Sequence, residues 1–218
     1  MKYKVIKINI NSKYYPERLK NIACPPKQLY CLGNLKLLNC NNTIGIIGSR
    51  NCSKYGEKVS KAFGFNLAKQ DMCVISGLAK GIDSFSHIGA LNANGKTIAV
   101  LGSGLDNIYP KENIYLFNSI INNDGLIISE YQLGTKPLKQ NFPARNRIIS
   151  GLSDSILVVE ARENSGTNIT VDFALEQGKD VFVIPGNIYS KTSNGTNFLI
   201  KEGAIPVTNY EDILNYRR

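Results

Sequence analysis

Short apolar segments of strand length alternate with longer segments of helical character along most of this chain. The first apolar segment is TIGIIG at residues 43–48, and the segment 53–70 that follows carries Val59, Phe63 and Leu67 at roughly helical spacing. Continuous apolar strands separated by helices of about 10–17 residues are typical of a parallel sheet covered on both faces. The alternation therefore predicts an α/β fold with a doubly wound, mostly parallel, Rossmann-like sheet.

The same alternation continues to the end of the chain but is absent from its first 42 residues, which divides the chain into two units. Further strands are predicted at residues 72–75, 97–101, 125–129, 155–160, 180–184 and 204–207, with helices at 81–94, from Pro110 to about 122, from Pro143 onward and at 167–177. Residues 1–42 lack the alternation and are rich in tyrosine and proline. We expect an N-terminal basic arm or subdomain at 1–42 and the Rossmann-like domain at 43–218.

The net charge of +9 is concentrated near the start of the chain. Residues 1–40 contain eight Lys or Arg and one acid, Glu17, whereas the remaining residues contain 18 basic and 16 acidic side chains. An excess of basic over acidic residues suggests an anionic partner such as nucleic acid. Lysines that simply keep a protein in solution explain the total equally well, so the local clustering of charge must decide between the two interpretations.

Several classes of protein are excluded by what the sequence lacks. The longest apolar runs, such as TIGIIG and VFVIPG, are of strand length, and the first twenty residues contain no apolar core of a secretory signal. The five cysteines are odd in number and show no C-x-x-C spacing, and His87 is the single histidine. We therefore expect a cytoplasmic protein with no membrane segment, no disulfide framework and no metal site.

The predicted strands end in loops that are rich in glycine and small polar residues. The first reads Gly48-Ser49-Arg50, and others stand at 76–81, 102–104, 129–130, 160–167 and 185–186. Ligands of such sheets bind beyond the carboxyl ends of the strands, and free N–H groups at helix N-termini attract phosphate. This edge is predicted to bind an anion. No phosphate-binding P-loop and no dinucleotide fingerprint is present, so no cofactor is expected.

The loop at residues 136–147 is the most informative stretch. It contains four basic residues and no acid, with Phe142 and Pro143 in the middle, and it leads into a predicted helix. A basic strip can follow a phosphate backbone, and an aromatic ring offers a base a face on which to stack. The alternative is a solvated loop whose Phe142 fills the core. Loops of this length are more often functional than inert, which favours the first interpretation.

At these residues the sequence resembles the DNA-processing protein A family (DprA, also called Smf). The resemblance covers nearly all of residues 43–206. The matching strings are GIIGSR (45–50), SGLAKGIDSFSHIGAL (76–91), TIAVLGSGLDNIYP (97–110), FPARNRIISGLS (142–153), VVEARENSGTNIT (158–170) and IPGN with SNGTNFLIKEGA (184–204).

The resemblance implies an extended Rossmann fold that binds single-stranded DNA without sequence preference. It further implies that the protein hands incoming DNA to the RecA recombinase during natural transformation, and that it works as a homodimer. The DNA-binding residues expected from the loops and from the resemblance are Gly48, Ser49, Arg50, Lys139, Phe142, Arg145, Asn146, Arg147, Ser165, Gly166 and Thr167.

An enzymatic function is the main alternative. Nucleotide or nucleoside-monophosphate hydrolases of the lysine-decarboxylase-like group share a Rossmann scaffold and carry a PGG-x-GT turn before a helix with a glutamate. The nearest string here, residues 164–170, lacks the double glycine, and the first acid after it is Asp172. A bare scaffold protein would explain neither the basic loop nor Arg50. We therefore expect a binding protein without catalytic residues.

Overall fold

The computed structural model of this protein describes residues 4–163 and 165–216; Asn164, which lies within one of the strings above, is outside the described residues. The strands are β1 (Ile6–Asn9), β2 (Gln28–Gly33), β3 (Thr43–Ile47), β4 (Cys73–Ser76), β5 (Thr97–Leu101), β6 (Leu126–Ser129), β7 (Ser155–Val158), β8 (Asp180–Val183) and β9 (Ile205–Pro206). The helices are α1 (Glu17–Lys20), α2 (Lys54–Lys69), α3 (Ile82–Asn92), α4 (Ile114–Asn122), α5 (Asn141–Leu152), α6 (Gly166–Glu176), α7 (Asn194–Lys201) and α8 (Tyr210–Tyr216). Short 3₁₀ turns lie at Leu35–Asn39 and Lys111–Asn113.

The strands form one sheet in the order β1-β2-β6-β5-β4-β3-β7-β8-β9. All pairs from β6 to β9 are parallel, whereas the β1–β2 and β2–β6 pairs are antiparallel. The predicted doubly wound, mostly parallel α/β fold is confirmed. The chain runs from β3 outward to β6 and then returns to β7 on the other side of β3, so the switch point, where ligands of such sheets bind, lies between β3 and β7.

Both faces of the sheet are buried. Helices α1, α5 and α6 pack with side chains such as Ile75, Val100 and Ile156 on one face. Helices α2, α3 and α8 pack with Ile44 and Ile46 on the other face, next to α4, which covers the β5–β6 side. The central strands therefore need apolar residues at successive positions, which is why the sequence shows continuous apolar runs instead of alternation. Within the described residues, no helix has the length and apolar character to span a bilayer.

The described part of the N-terminal segment, residues 4–42, extends the sheet at its β6 edge. Strands β1 and β2 pair antiparallel there, and Arg18 in α1 ties this segment to the parallel part of the sheet. The Arg18 guanidinium donates to the Asp154 carboxylate at 2.9 Å, to the Thr43 hydroxyl at 2.8 Å and to the Cys40 carbonyl at 2.8 Å. The division of the chain at residue 42 stays a prediction.

The single histidine is buried between α3 and β5. The Thr97 hydroxyl donates to the Val74 carbonyl at 2.7 Å, so it must accept from His87 Nδ1, which is also 2.7 Å away. Nδ1 therefore carries the proton, and Nε2 has no hydrogen-bond partner among the described residues. Burial and the nearby charge of Arg145 lower the pKa of His87 from 6.5 to about 3.

Because His87 is buried in its neutral form, we expect the free energy of unfolding to fall as the pH is lowered below neutral. Between pH 6.5 and about 3 the unfolded chain binds one proton more at His87 than the folded chain does, so the stability contribution present at neutral pH falls as the pH falls. The slope is at most about 1.4 kcal/mol per pH unit. Urea unfolding of the parent and of His87→Asn at several pH values between 7 and 5 measures it. We expect the parent to lose stability faster, and parallel curves would contradict the assignment.

Candidate nucleic-acid interface

A cavity of about 420 Å³ lies at the switch point, beyond the carboxyl ends of β3 and β7. Its walls come from the loops after β3, β4 and β7 and from the first turns of α5 and α6. Every residue predicted from the sequence to bind DNA lines it except Arg147. The lining consists of Ile47, Gly48, Ser49, Arg50, Asn51, Ala79, Asp83, Lys139, Phe142, Pro143, Arg145, Asn146, Ile149, Arg162, Ser165, Gly166, Thr167, Ile169 and Thr170.

The turn after β3 is held in place by its backbone. The Ser49 N–H donates to the Glu160 carbonyl at 2.8 Å, and the Ser49 carbonyl accepts from the Ile82 N–H at 3.2 Å. A Cβ at Gly48 would stand 2.7 Å from the Glu160 carbonyl oxygen and 2.8 Å from Ile82 Cγ1, so only glycine fits there. This packing presents Arg50, which is exposed, at the mouth of the cavity from a rigid turn.

Phe142 forms an aromatic wall of the cavity. It stands in the first turn of α5, where Pro143 is tolerated because the N–H it lacks would have no partner inside the helix. The Phe142 side chain is half-buried, and its ring centroid lies 5.5 Å from that of Tyr109 and 5.4 Å from the Arg50 guanidinium carbon. Phe142 thus faces a cation across the cavity mouth instead of filling the core.

Arg145 forms the floor of the cavity and is 4% exposed. Its Nη1 donates to the Gly77 carbonyl at 2.7 Å and to the Val100 carbonyl, and its Nε donates to Asn146 Oδ1 at 3.2 Å. A Cβ at Gly77 would lie within 2.7 Å of the guanidinium, so the glycine makes room for it. Burial lowers the pKa of Arg145 to about 10, which still leaves it cationic at neutral pH, and burial raises the pKa of the neighbouring Asp83.

Lys139, Arg162 and the start of α6 complete the cavity. Lys139 and Arg162 are exposed side chains at its rim. The α6 helix begins at Gly166, and its first turn, including Thr167, faces the cavity with the positive end of the helix dipole. Ser165 Oγ is buried and has no hydrogen-bond partner among the described residues. Arg162 is not among the DNA-binding residues predicted from the sequence, although it is the first basic residue after β7.

Arg147 is directed away from the cavity. It stands two positions after Arg145 on α5, about 200° around the helix, so the two side chains cannot share a face. Its guanidinium pairs with the Glu130 carboxylate through two 2.7 Å contacts and donates to the Cys24 carbonyl at 2.8 Å. Arg147 therefore joins the N-terminal segment to the end of β6. Its contact with DNA stays a prediction.

The cavity is suited to an anion that carries a flat apolar group. Three exposed cations, Arg50, Lys139 and Arg162, surround an opening that also contains a half-buried aromatic ring. The acid in its lining, Asp83, is buried, and its carboxylate accepts from the Gly77 N–H at 3.1 Å. In the part of the chain that the structure describes, no three His, Cys, Asp or Glu side chains come close enough together to hold a metal ion.

Comparison with known proteins places the chain in a family. The sequence model of the family described as DNA recombination-mediator protein A matches residues 7–218. The chain is 48% identical over 200 residues to the DNA processing protein DprA of Streptococcus pneumoniae, covering 92% of this chain and 70% of that protein. It is 42% identical over 206 residues to the DprA of Bacillus subtilis, covering 94% of this chain and 69% of that protein.

Comparison with solved structures leads to the same family. The DprA of Streptococcus pneumoniae superposes with a TM-score of 0.91 at 45% identity, covering 97% of this chain and 74% of that one. The structure of a DNA processing protein A from Helicobacter pylori, described for its single-stranded DNA binding mode, superposes with a TM-score of 0.87 at 33% identity, covering 99% of this chain and 95% of that one. The chain therefore belongs to the DNA recombination-mediator protein A family, the DprA and Smf proteins.

Proposed function

We propose that this protein binds single-stranded DNA without sequence preference in the cavity between β3 and β7, and that it delivers the strand to the RecA recombinase during natural transformation. The observation that carries the proposal is the pairing of Arg50 with Phe142 across the mouth of one cavity. One group attracts a phosphate and the other stacks on a base, so together they fit a nucleotide within a strand.

The phosphate would be held by charge and by backbone donors. A guanidinium offers a planar pair of N–H donors that match two phosphate oxygens, and Arg50 presents such a pair at an exposed site. The N-terminal end of α6 adds N–H groups and a positive partial charge to the same cavity. Neither group reads the identity of a base, which supports binding without sequence preference.

The base would stack on Phe142, which favours an unpaired strand. A base inside a duplex is already stacked and paired, and extracting it costs a few kcal/mol. Stacking of an unpaired base on an aromatic ring contributes about 1–3 kcal/mol, and every base has a suitable face. The recessed position of Phe142 in the cavity wall therefore discriminates against duplex DNA.

Binding is expected to weaken with salt in a defined way. Each phosphate neutralised on a single strand contributes a slope of about −0.7 to the logarithm of the binding constant against the logarithm of salt concentration. With Arg50, Lys139 and Arg162 engaged, we expect a total slope of about −2. Fluorescence anisotropy with a labelled oligonucleotide at several salt concentrations tests the proposal, and a slope near zero would overturn it.

Delivery to RecA and the homodimer are supported by membership of the family and by the resemblance of the motifs. The direct test is assembly of RecA filaments on a single strand that has first been covered by a single-strand binding protein. We expect this protein to accelerate filament assembly, and to sediment as a dimer. Unchanged assembly kinetics would remove the RecA step from the proposal while leaving DNA binding in place.

We expect no hydrolysis of nucleoside mono- or triphosphates, with or without magnesium. The turn before α6 lacks the double glycine of the hydrolases, and the first acid after that turn, Asp172, is exposed and does not line the cavity. The Glu160 carboxylate is buried and accepts a hydrogen bond from the Ser53 N–H at 2.8 Å. Release of phosphate or base by purified protein, measured by chromatography over hours, would favour the enzymatic alternative.

A further inference from the structure

A second cavity, of about 380 Å³, lies beside the first at the carboxyl end of β8. Its lining includes Ser53 and Tyr55 at the start of α2, Glu160 after β7, and Asn187 and Ser190 in the loop after β8. None of these residues belongs to the DNA-binding set derived above.

Glu160 separates the two cavities. On one side its carbonyl accepts from the Ser49 N–H at 2.8 Å, in the turn that presents Arg50. On the other side its carboxylate accepts from the Ser53 N–H at 2.8 Å, from the Ser53 hydroxyl at 2.5 Å and from the Thr192 hydroxyl at 3.2 Å. A DNA strand held at Arg50 therefore has one protein residue, Glu160, to pass before it reaches the second cavity.

The chemistry of the second cavity differs from that of the first. Among the described residues that line it there is no Lys or Arg, and the Glu160 carboxylate is part of the lining, so a phosphate would be repelled. Tyr55 offers an aromatic ring that is 50% exposed, and its hydroxyl donates to the Pro185 carbonyl at 3.4 Å. Burial and the charge of Glu160 raise the pKa of the Tyr55 hydroxyl, which keeps it neutral.

The loop that forms the other wall carries large side chains in contact with solvent. Ile188 is 75% exposed and Tyr189 is 91% exposed, between the lining residues Asn187 and Ser190. Exposed aromatic groups next to hydroxyl and amide groups are suited to a flat, uncharged ring with polar edges. A nucleobase has this chemistry, whereas a phosphate has no flat face to stack.

We propose that the second cavity receives a nucleobase of the same DNA strand, close to the nucleotide whose phosphate lies at Arg50. The base stacks on Tyr55 and directs its polar edge towards the hydroxyl and amide groups of the cavity. The inference rests on the proposed binding of single-stranded DNA and adds a second point of contact, so that the strand is held by its charge in one cavity and by a base in the next.

Photochemical crosslinking tests the second contact separately from the first. A thymidine oligonucleotide with 5-iododeoxyuridine at successive positions is bound, irradiated and digested with trypsin, and the attached peptides are identified by mass spectrometry. We expect crosslinks at Tyr55, in the peptide of residues 55–58, as well as at Phe142, in the peptide of residues 140–145. Crosslinks at Phe142 alone would overturn this inference but not the proposed function, and crosslinks at neither would overturn both.

A matched pair of variants supplies the energetic test. Tyr55→Ala removes the ring of the second cavity, whereas Tyr115→Ala removes a ring on α4 that is 60% exposed and lines neither cavity. We expect Tyr55→Ala to weaken binding of a base-bearing oligonucleotide about 5- to 150-fold. It should leave binding of an abasic oligonucleotide of the same length unchanged. Equal affinities of Tyr55→Ala and Tyr115→Ala for the base-bearing strand would overturn the inference.

Discussion

Replacement of Arg50 by alanine is expected to weaken single-stranded DNA binding by about 1–3 kcal/mol, the range for losing a hydrogen bond to a charged group. At 25 °C this corresponds to a roughly 5- to 150-fold increase in Kd. The side chain is exposed on a turn that is fixed through Gly48 and Ser49, so its loss removes a held cation without disturbing the core. Anisotropy titration of both proteins at one salt concentration measures the effect.

The matched control is Lys27→Ala. Lys27 is an exposed cation of the N-terminal segment and does not line the cavity, so its charge is screened and contributes little. We expect its variant to bind like the parent. If Arg50→Ala bound normally while Lys27→Ala did not, the DNA would follow residues 1–40 and the cavity would not be its site.

Replacement of Arg145 by alanine is expected to lower the free energy of unfolding by about 2–6 kcal/mol, since each of two buried carbonyls left without its donor costs about 1–3 kcal/mol. The variant would leave the Gly77 and Val100 carbonyls without their donor and the buried Asp83 without its neighbouring cation. The sequence predicts that Arg145 contacts DNA. At 4% exposure its main contribution should be to hold the cavity floor in place, with DNA affinity lost as a consequence.

Urea unfolding monitored by circular dichroism measures the stability, with Arg162→Ala as the control. Arg162 lines the same cavity but is exposed, so its variant should keep the stability of the parent and lose affinity alone. A fully stable Arg145→Ala variant with reduced affinity would instead make Arg145 a direct DNA ligand.

The parallel part of the fold could be predicted because both of its faces are buried. Five successive buried residues in β3 or β5 leave a short, mostly apolar run between polar and glycine-rich stretches, which is typical of a strand covered on both faces. The N-terminal strands gave no such signal, since three of the four residues of β1 are exposed and β2 pairs antiparallel at an edge. Helix α7 begins with Asn194 and Gly195, which are poor helix formers, so it is fixed by packing and not by propensity.

The candidate site could be located from the sequence, but the roles of its residues could not all be assigned. Glycine-rich loops at the ends of neighbouring parallel strands must meet at one edge, which correctly brought Arg50 and Thr167 to one cavity. Helical periodicity is sufficient to place the side chains of Arg145 and Arg147 on different faces of α5. The partner of Arg147, Glu130, lies 17 residues away in the chain, and its pairing depends on how the loop between them folds, which no local pattern reports.

Competition between single-stranded and duplex DNA of the same sequence tests the central claim most directly. A labelled single strand is bound at fixed salt concentration and displaced by either unlabelled competitor, and the two inhibition constants are compared. An unpaired base can stack on Phe142 and a paired base cannot, so we expect the single strand to compete at least about tenfold better. Equal competition by the duplex would show that the protein binds phosphates alone, and would contradict the assignment of the cavity as a site for unpaired nucleotides.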